Sequence, residues 1–229
     1  MPVVIIPWRA QPSRLAALDA VTAWYRDNLA DAEIRLVDCV DDVFNLSQAR
    51  NLGVASVVDP DEVLVIGDAD TIPERSPLLA AIEGAATSGR VHLPYDEYRW
   101  LGASGTAQFT AGTALPACDF ELVRGACSGV YVTTPRTWAS HGEQDERFRG
   151  WGFEDAAWYL AHSTLLGEPP RREAGRVYAL HHAAQPREGE QYDANAALME
   201  RYREASADPS AMLALVRESA SNARALPGR

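Results

Sequence analysis

The chain contains no lysine: all 21 of its basic residues are arginine. Against 32 acidic residues they leave a formal net charge of −11 at pH 7. That balance argues against a protein that coats nucleic acid through a basic face, although a local arginine-lined groove is compatible with it. Cysteine is scarce. Cys39, Cys118 and Cys127 form no Cys-x-x-Cys pair and leave an odd one over, the pattern of reduced thiols in a cytoplasmic protein. Long apolar runs are missing too. None approaches the roughly 20 residues of a membrane span. The apolar start, residues 3–6, lacks the basic segment and cleavage site of a signal peptide. Internal repeats and low-complexity tracts are absent.

What remains is a well-filled α/β pattern. With 47% hydrophobic residues in 229, the chain can bury one full core. Short β-branched runs predict strands at 3–6, 34–37, 63–66, 90–94, 129–133 and 177–180. Between them fall helices at 14–29, with Ser13 as its cap, and at 45–55, 77–87, 155–163, 193–205 and 209–221. Residues 99–118 read as a glycine-containing loop that could close over a ligand, and 168–175 as a Pro/Arg-rich turn. The alternation predicts a mostly parallel, doubly wound, Rossmann-like central sheet flanked by helices, in one domain.

The most informative stretch is Val-Leu-Val-Ile-Gly-Asp-Ala-Asp at 63–70. A buried strand ends at Asp68 and Asp70, at the carboxyl edge where open α/β sheets bind ligands. Residues i and i+2 share a side in an extended chain, so the two carboxylates repel unless a cation or donors lie between them. A solvated turn is the plain alternative.

Three further constellations carry chemistry. Arg-Gly-Trp-Gly-Phe-Glu-Asp at 149–155 sets an aromatic ring between two glycines and puts Glu154 and Asp155 at a helix start, where carboxylates are favoured. Either could act as a general base or merely cap the helix. His181 and His182 close a strand. Adjacent side chains point opposite ways, so one imidazole can join Asp70 around Mn²⁺ or a similar cation. Pro7-Trp-Arg and Ser47-Gln-Ala-Arg-Asn offer an aromatic and two arginines to a base and a phosphate.

Read in order, Ile5-Ile-Pro-Trp-Arg, Phe44-Asn-Leu-Ser-Gln-Ala-Arg-Asn-Leu-Gly, Asp68-Ala-Asp, Gly125-Ala-Cys-Ser-Gly, Asp145-Glu-Arg-Phe-Arg-Gly-Trp-Gly-Phe-Glu-Asp and His181-His resemble glycosyltransferases of the GT-A fold. The likeness is to the beta-galactosyltransferase and polypeptide GalNAc-transferase branch and its bacterial and phage relatives. It spans about residues 3–182.

The resemblance implies that Pro7, Trp8 and Arg9 bind uridine, that Arg50 contacts the donor nucleotide, and that Asp68 and Ala69 lie against the donor. It implies Asp70 and His182, with His181 as the fallback, as ligands of Mn²⁺ or Mg²⁺. Trp151, Gly152 and Glu154 would hold the acceptor, and Asp155, beside Glu154, would be the catalytic base. Residues 1–98 would form a nucleotide-binding half, 99–189 an acceptor and metal half, and 190–229 a helical extension. Ala156 and Ala157 stand where the galactosyltransferases carry further acids, and Phe153 replaces a glycine, so the acceptor shape should differ. The expected protein is a cytoplasmic transferase moving a sugar from a nucleotide-sugar, most simply a UDP-sugar, to an acceptor hydroxyl with inversion. The acceptor could be a glycan, a protein, a small molecule or a modified nucleic acid. The alternatives are a retaining GalNAc-transferase-like enzyme and a degenerate nucleotide- or carbohydrate-binding module.

Overall fold

A computed structural model of the chain describes residues 2–183 and 188–225, with side chains described up to residue 219. Strand β1 (Val3–Pro7) is buried along its whole length, as a continuous apolar run must be when both faces are covered. Helix α1 (Leu15–Asn28) follows and leads to β2 (Glu33–Val37). Helix α2 (Leu46–Ala55) returns to β3 (Leu64–Gly67). Then follow β4 (Thr71–Pro73), α3 (Arg75–Ser88), β5 (His92–Leu93), β6 (Glu97–Trp100), α4 (Gly102–Thr110), β7 (Glu121–Val123), β8 (Val130–Thr133) and α5 (Pro135–Ser140). The chain continues through α6 (Glu154–Leu165), β9 (Arg171–Arg172), β10 (Arg176–Ala179), α7 (Glu190–Ala205) and α8 (Pro209–Ala225).

The main sheet runs β2-β1-β3-β8-β5-β9. Its β2-β1-β3 and β5-β9 pairings are parallel, while β8 runs antiparallel to both neighbours, so the sheet is mostly parallel as expected. A smaller sheet, β4-β10-β6-β7, stands beside it. One core fills the space around the main sheet. A second cluster, with Phe148, Met199, Tyr202 and Met212, joins α6, α7 and α8.

The small sheet decides where the chemistry meets. Strand β4 follows Asp70 directly and pairs antiparallel with β10, Thr71 opposite Ala179. Leu180 N–H then donates to the Asp70 carbonyl at 2.8 Å, which delivers the His pair to the carboxylate turn.

Three local expectations are corrected. Residues 99–118 are not a loop: they hold the end of β6, helix α4 and a 3-10 turn at Leu115–Ala117. Gly, Ser and Thr are weak helix formers, and packing overrides them. Gly105 lies so close to the Asp119 carbonyl that a Cβ would fall 2.0 Å from its oxygen. Ser104 and Gln108 both donate to the Asp119 carboxylate. Ser13 does not cap α1; it lies inside a 3-10 turn, Pro12–Arg14, and the helix starts at Leu15 without a side-chain cap. The 168–175 turn contains β9. Strands β4, β6 and β7 were not legible, being three or four residues long and dependent on their partners.

Candidate active site

Asp68, Ala69 and Asp70 turn away from the end of β3. Asp68 N–H donates to the Gly129 carbonyl at 2.8 Å, so β8 and the segment before it brace the turn. Asp68 pairs with Arg50 and Asp70 with His182. They face different partners.

The partner of Asp68 is Arg50. Its side chain has 0% exposure, and its guanidinium lies 2.6 Å from Asp68 Oδ1 and 2.6 Å from Asp155 Oδ1. It also donates to Gln144 Oε1 at 3.0 Å and lies 5.0 Å from the centre of the Tyr131 ring. Burial alone would weaken the charge, but Asp68, Tyr131 and Asp155 hold the guanidinium pKa well above its usual value. Burial pushes Asp68 up to about 6 against the pull of Arg50. Arg50 spans the two carboxylates.

Asp155 is in the first turn of α6, and its Oδ1 also accepts from the Tyr131 hydroxyl. Two donors on one oxygen fix the carboxylate. Glu154 precedes it, and burial, reinforced by the neighbouring Asp155 charge, pushes Glu154 up to about 7.

The partner of Asp70 is His182, Nε2 to Oδ2 at 2.8 Å, whereas His181 turns to the Trp100 ring, 6.1 Å between centres. The hydrogen bond to Asp70 raises the His182 pKa, against burial. The Nδ1 of His182 lies 2.9 Å from the Ala183 carbonyl. With Nδ1–H donating there, Nε2–H of the imidazolium donates to Asp70; once deprotonated, Nε2 would offer its lone pair on the Asp70 side, an orientation metal-ligating histidines commonly use. One oxygen and one nitrogen donor of this kind fit Mn²⁺ or Mg²⁺. No group of three or more His, Cys, Asp or Glu side chains suited to a metal occurs among the described residues, so further donors would come from a ligand or solvent. Arg14, 3.0 Å from the same nitrogen, would have to yield to a cation.

Trp151, 38% exposed, lies nearly parallel to Tyr192 of α7, 6.3 Å between ring centres and 14° between planes. Three of four consecutive residues here have positive φ: Gly150 at 68°, Gly152 at 109° and Phe153 at 77°. For Phe153 this is a strained conformation that the surroundings must enforce. Asn195 of α7, 2% exposed, supplies the enforcement. Its Nδ2 donates to the carbonyls of Arg149 at 2.8 Å, Trp151 at 3.3 Å and Gly152 at 3.4 Å, and its Oδ1 accepts from Arg149 N–H.

Pro7 and Trp8 sit at the carboxyl end of β1 as expected, with Trp8 packed against the core. Arg9 is committed elsewhere. It pairs with Asp38 at 2.9 Å and donates to the carbonyls of Cys39, Asp41 and Asp42, shaping the loop after β2.

Two sequence motifs prove to be one structure. From α2 and its cap, Gln48 and Asn51 both donate to the Glu146 carboxylate, and Asn45 donates to its carbonyl at 2.8 Å. Trp138 Nε1 donates in turn to Asn51 Oδ1 at 3.1 Å. This polar seam sets Arg50 opposite Asp155.

Sequence reasoning missed Tyr131, Gln144, Tyr192 and Asn195. A tyrosine inside a buried strand must find a partner for its hydroxyl, and an asparagine inside a helix is an expensive choice; both were available as signals.

The sheet order and the helices flanking it are those of the GT-A fold. By sequence, no protein-family model and no curated protein matches the chain. Solved structures do match. The catalytic domain of Drosophila beta1,4-galactosyltransferase 7 in complex with xylobiose is 16% identical, with a TM-score of 0.55 over 85% of this chain and 78% of that one. A mutant of the Drosophila enzyme in complex with manganese, UDP-Gal and xylobiose gives 15% identity and 0.54, over 84% and 78%. GalNAc-T7 with UDP, GalNAc and Mn²⁺ gives 11% and 0.51, over 95% of this chain and 48% of that one. At such identities the likeness establishes the fold.

Proposed function

We propose that this protein is a metal-dependent glycosyltransferase that moves a sugar from a UDP-sugar to an acceptor hydroxyl with inversion at the anomeric carbon. The observation that carries the reading is the posture of Asp155, its Oδ1 held by Arg50 and Tyr131 at the head of α6. In this reading Oδ2 takes the proton of the acceptor hydroxyl. The acceptor oxygen bonds to the anomeric carbon as the bond to the diphosphate oxygen breaks on the opposite face, and UDP leaves. Glu154 and Trp151 hold the acceptor, with Gly152 leaving room for the Tyr192 ring.

Asp68 bonds donor hydroxyls, and Arg50 acts on the donor through it. Pro7, Trp8 and Ala69 line the nucleotide side, and Arg9 keeps its loop in shape. Asp70 and His182 would hold Mn²⁺ or Mg²⁺, which when bound offsets the negative charge of the leaving diphosphate. Manganese and UDP compounds in the fold neighbours support this choice of donor and metal. In this division of labour residues 1–98 would serve the nucleotide, 99–189 the acceptor and metal, and 190–229 would be an extension whose α7 braces the acceptor loop through Asn195.

A cytoplasmic location fits three free thiols. No helix among the described residues is long and apolar enough to cross a membrane.

The test is a screen of UDP-sugars with and without Mn²⁺, read as thermal shift and UDP release. Asp70→Ala is expected to lose the Mn²⁺-dependent shift. Asp155→Asn is expected to keep donor binding and lose transfer; transfer at the wild-type rate would sink the base assignment. Retained anomeric configuration in the product, read by NMR, would favour the retaining alternative. Donor binding with no UDP release under any condition would favour a binding module.

A further inference from the structure

Strand β7 and the segment after it wall a cleft of about 340 Å³. Its lining includes Tyr95, Tyr98, Val123, Arg124, Ala126 and Arg172. The cleft has room for one sugar ring.

Its two arginines lack an ion pair, as do Arg14, Arg26, Arg75 and Arg217 among the described residues, but these two share one cleft. Twelve other arginines of the described residues pair with a carboxylate. Arg172 instead spends one N–H on the Ala126 carbonyl at 2.6 Å and lies 5.5 Å from the Tyr95 ring centre. Arg124 is exposed, and neither has an ion pair among the described residues. In a chain of net charge −11, two uncommitted guanidinium groups on one cleft are a conspicuous use of positive charge.

The acids at the rim do not cancel them. Glu97 is bonded to Arg99 at 2.6 Å and lies 3.5 Å from Arg176. Asp96 accepts from Gly175 N–H at 2.9 Å. Both acids have donors of their own.

The cleft adjoins the catalytic pair. Cys127 follows Ala126 in the chain, and burial pushes its thiol up to about 12, with Asp155 and Glu154 acting in the same direction and Arg172 against. One small segment, residues 125–129, thus separates the arginines from the carboxylates, and its Gly129 carbonyl receives Asp68 N–H.

We infer that this cleft is a subsite for a carboxylate carried on one of the two sugars, so that either the donor or the acceptor is a hexuronate. The guanidinium fork matches a planar carboxylate with two parallel hydrogen bonds, and Tyr98 offers a flank for the ring. This rests on the glycosyltransferase reading for the sugar and on the cleft alone for the charge.

Calorimetric titration of the Mn²⁺-loaded protein tests it on two arms. One compares UDP-glucuronate with UDP-glucose. The other compares methyl β-D-glucuronide with methyl β-D-glucoside, with and without UDP. The expected result is about tenfold tighter binding of the uronate on one arm, the arm naming its carrier. The preference is expected to disappear in Arg172→Gln, to weaken in Arg124→Gln, and to survive in Arg26→Gln, an exposed site on α1. Equal binding of both members on both arms would overturn the inference, as would a preference undiminished in both cleft variants. If no UDP-sugar binds at all, the transferase reading fails by itself, and the methyl glycosides without UDP still decide the cleft.

Discussion

Asp68 and Asp155, on different elements and 87 residues apart in the chain, are held by the same guanidinium at 2.6 Å each. Arg50 thereby joins the proposed donor side, at Asp68, to the proposed base. Removing a partner from such a buried arrangement leaves unpaired charge in a poor solvent for it. Arg50→Met is expected to cost about 3–5 kcal/mol in urea denaturation. Adding Asp155→Asn to that variant is expected to recover part of the loss, because the two changes share one network. Strictly additive losses would count against the bridge.

Tyr131 is the other donor on Asp155. Its ring packs edge-on against Trp158, 4.8 Å between centres, and Tyr131→Phe keeps that packing while deleting the hydroxyl. A hydrogen bond to a charged group contributes about 1.5–3 kcal/mol, so transfer is expected to slow by about tenfold or more. Donor binding, measured by titration with UDP-sugar, is expected to stay as it was.

Asn195 carries residues 149–152, the proposed acceptor loop. Asn195→Leu fits the volume but forfeits every bond to residues 149–152. Amide hydrogen exchange across those residues is expected to accelerate, since their strained backbone loses its restraint. In kinetics the KM for the acceptor is expected to rise while UDP release in the absence of acceptor stays near wild type. An equal loss in both activities would point to general unfolding instead.

His141 makes the fold acid-sensitive. It is fully buried among Trp138, Trp158 and His162, and neither ring nitrogen has a partner among the described residues. Burial, with His162 nearby, holds its pKa well below 6.5, and burial lowers His162 to about 4. The unfolded chain takes up these protons as pH falls through about 6.5 and the native state does not, so stability is present above that pH and lost below it. Glu154, raised to about 7, acts with the opposite sign: between its usual 4.5 and about 7 the native state holds the extra proton, so rising pH removes stability. His141→Phe separates the two. Its melting temperature is expected to fall less steeply than wild type between pH 6.5 and 4.5.

Five of the six strands of the main sheet and most of the helices were legible because each carries an apolar run with its own period, readable without a partner, whereas β9 is the pair Arg171–Arg172. The carboxylate turn, the Glu154–Asp155 pair and the His pair were legible for a related reason: each is a short contiguous motif at the end of such an element. Helix α4 was hidden because its glycines, serine and threonines carry little propensity, and contacts with Asp119 complete it.

Sequence by itself determined the α/β class, the order of elements and which polar residues lie at strand ends, since these follow from local periodicity and chain direction. Only the tertiary structure decided how those residues pair. It separated Asp68 from Asp70, sent His182 rather than His181 to Asp70, buried Arg50 between two carboxylates and set Arg9 to its own loop. Each outcome turns on competition for a partner across long sequence separations. A buried charge goes to whichever opposite charge the packing brings within hydrogen-bond reach, and one-dimensional spacing does not encode that distance.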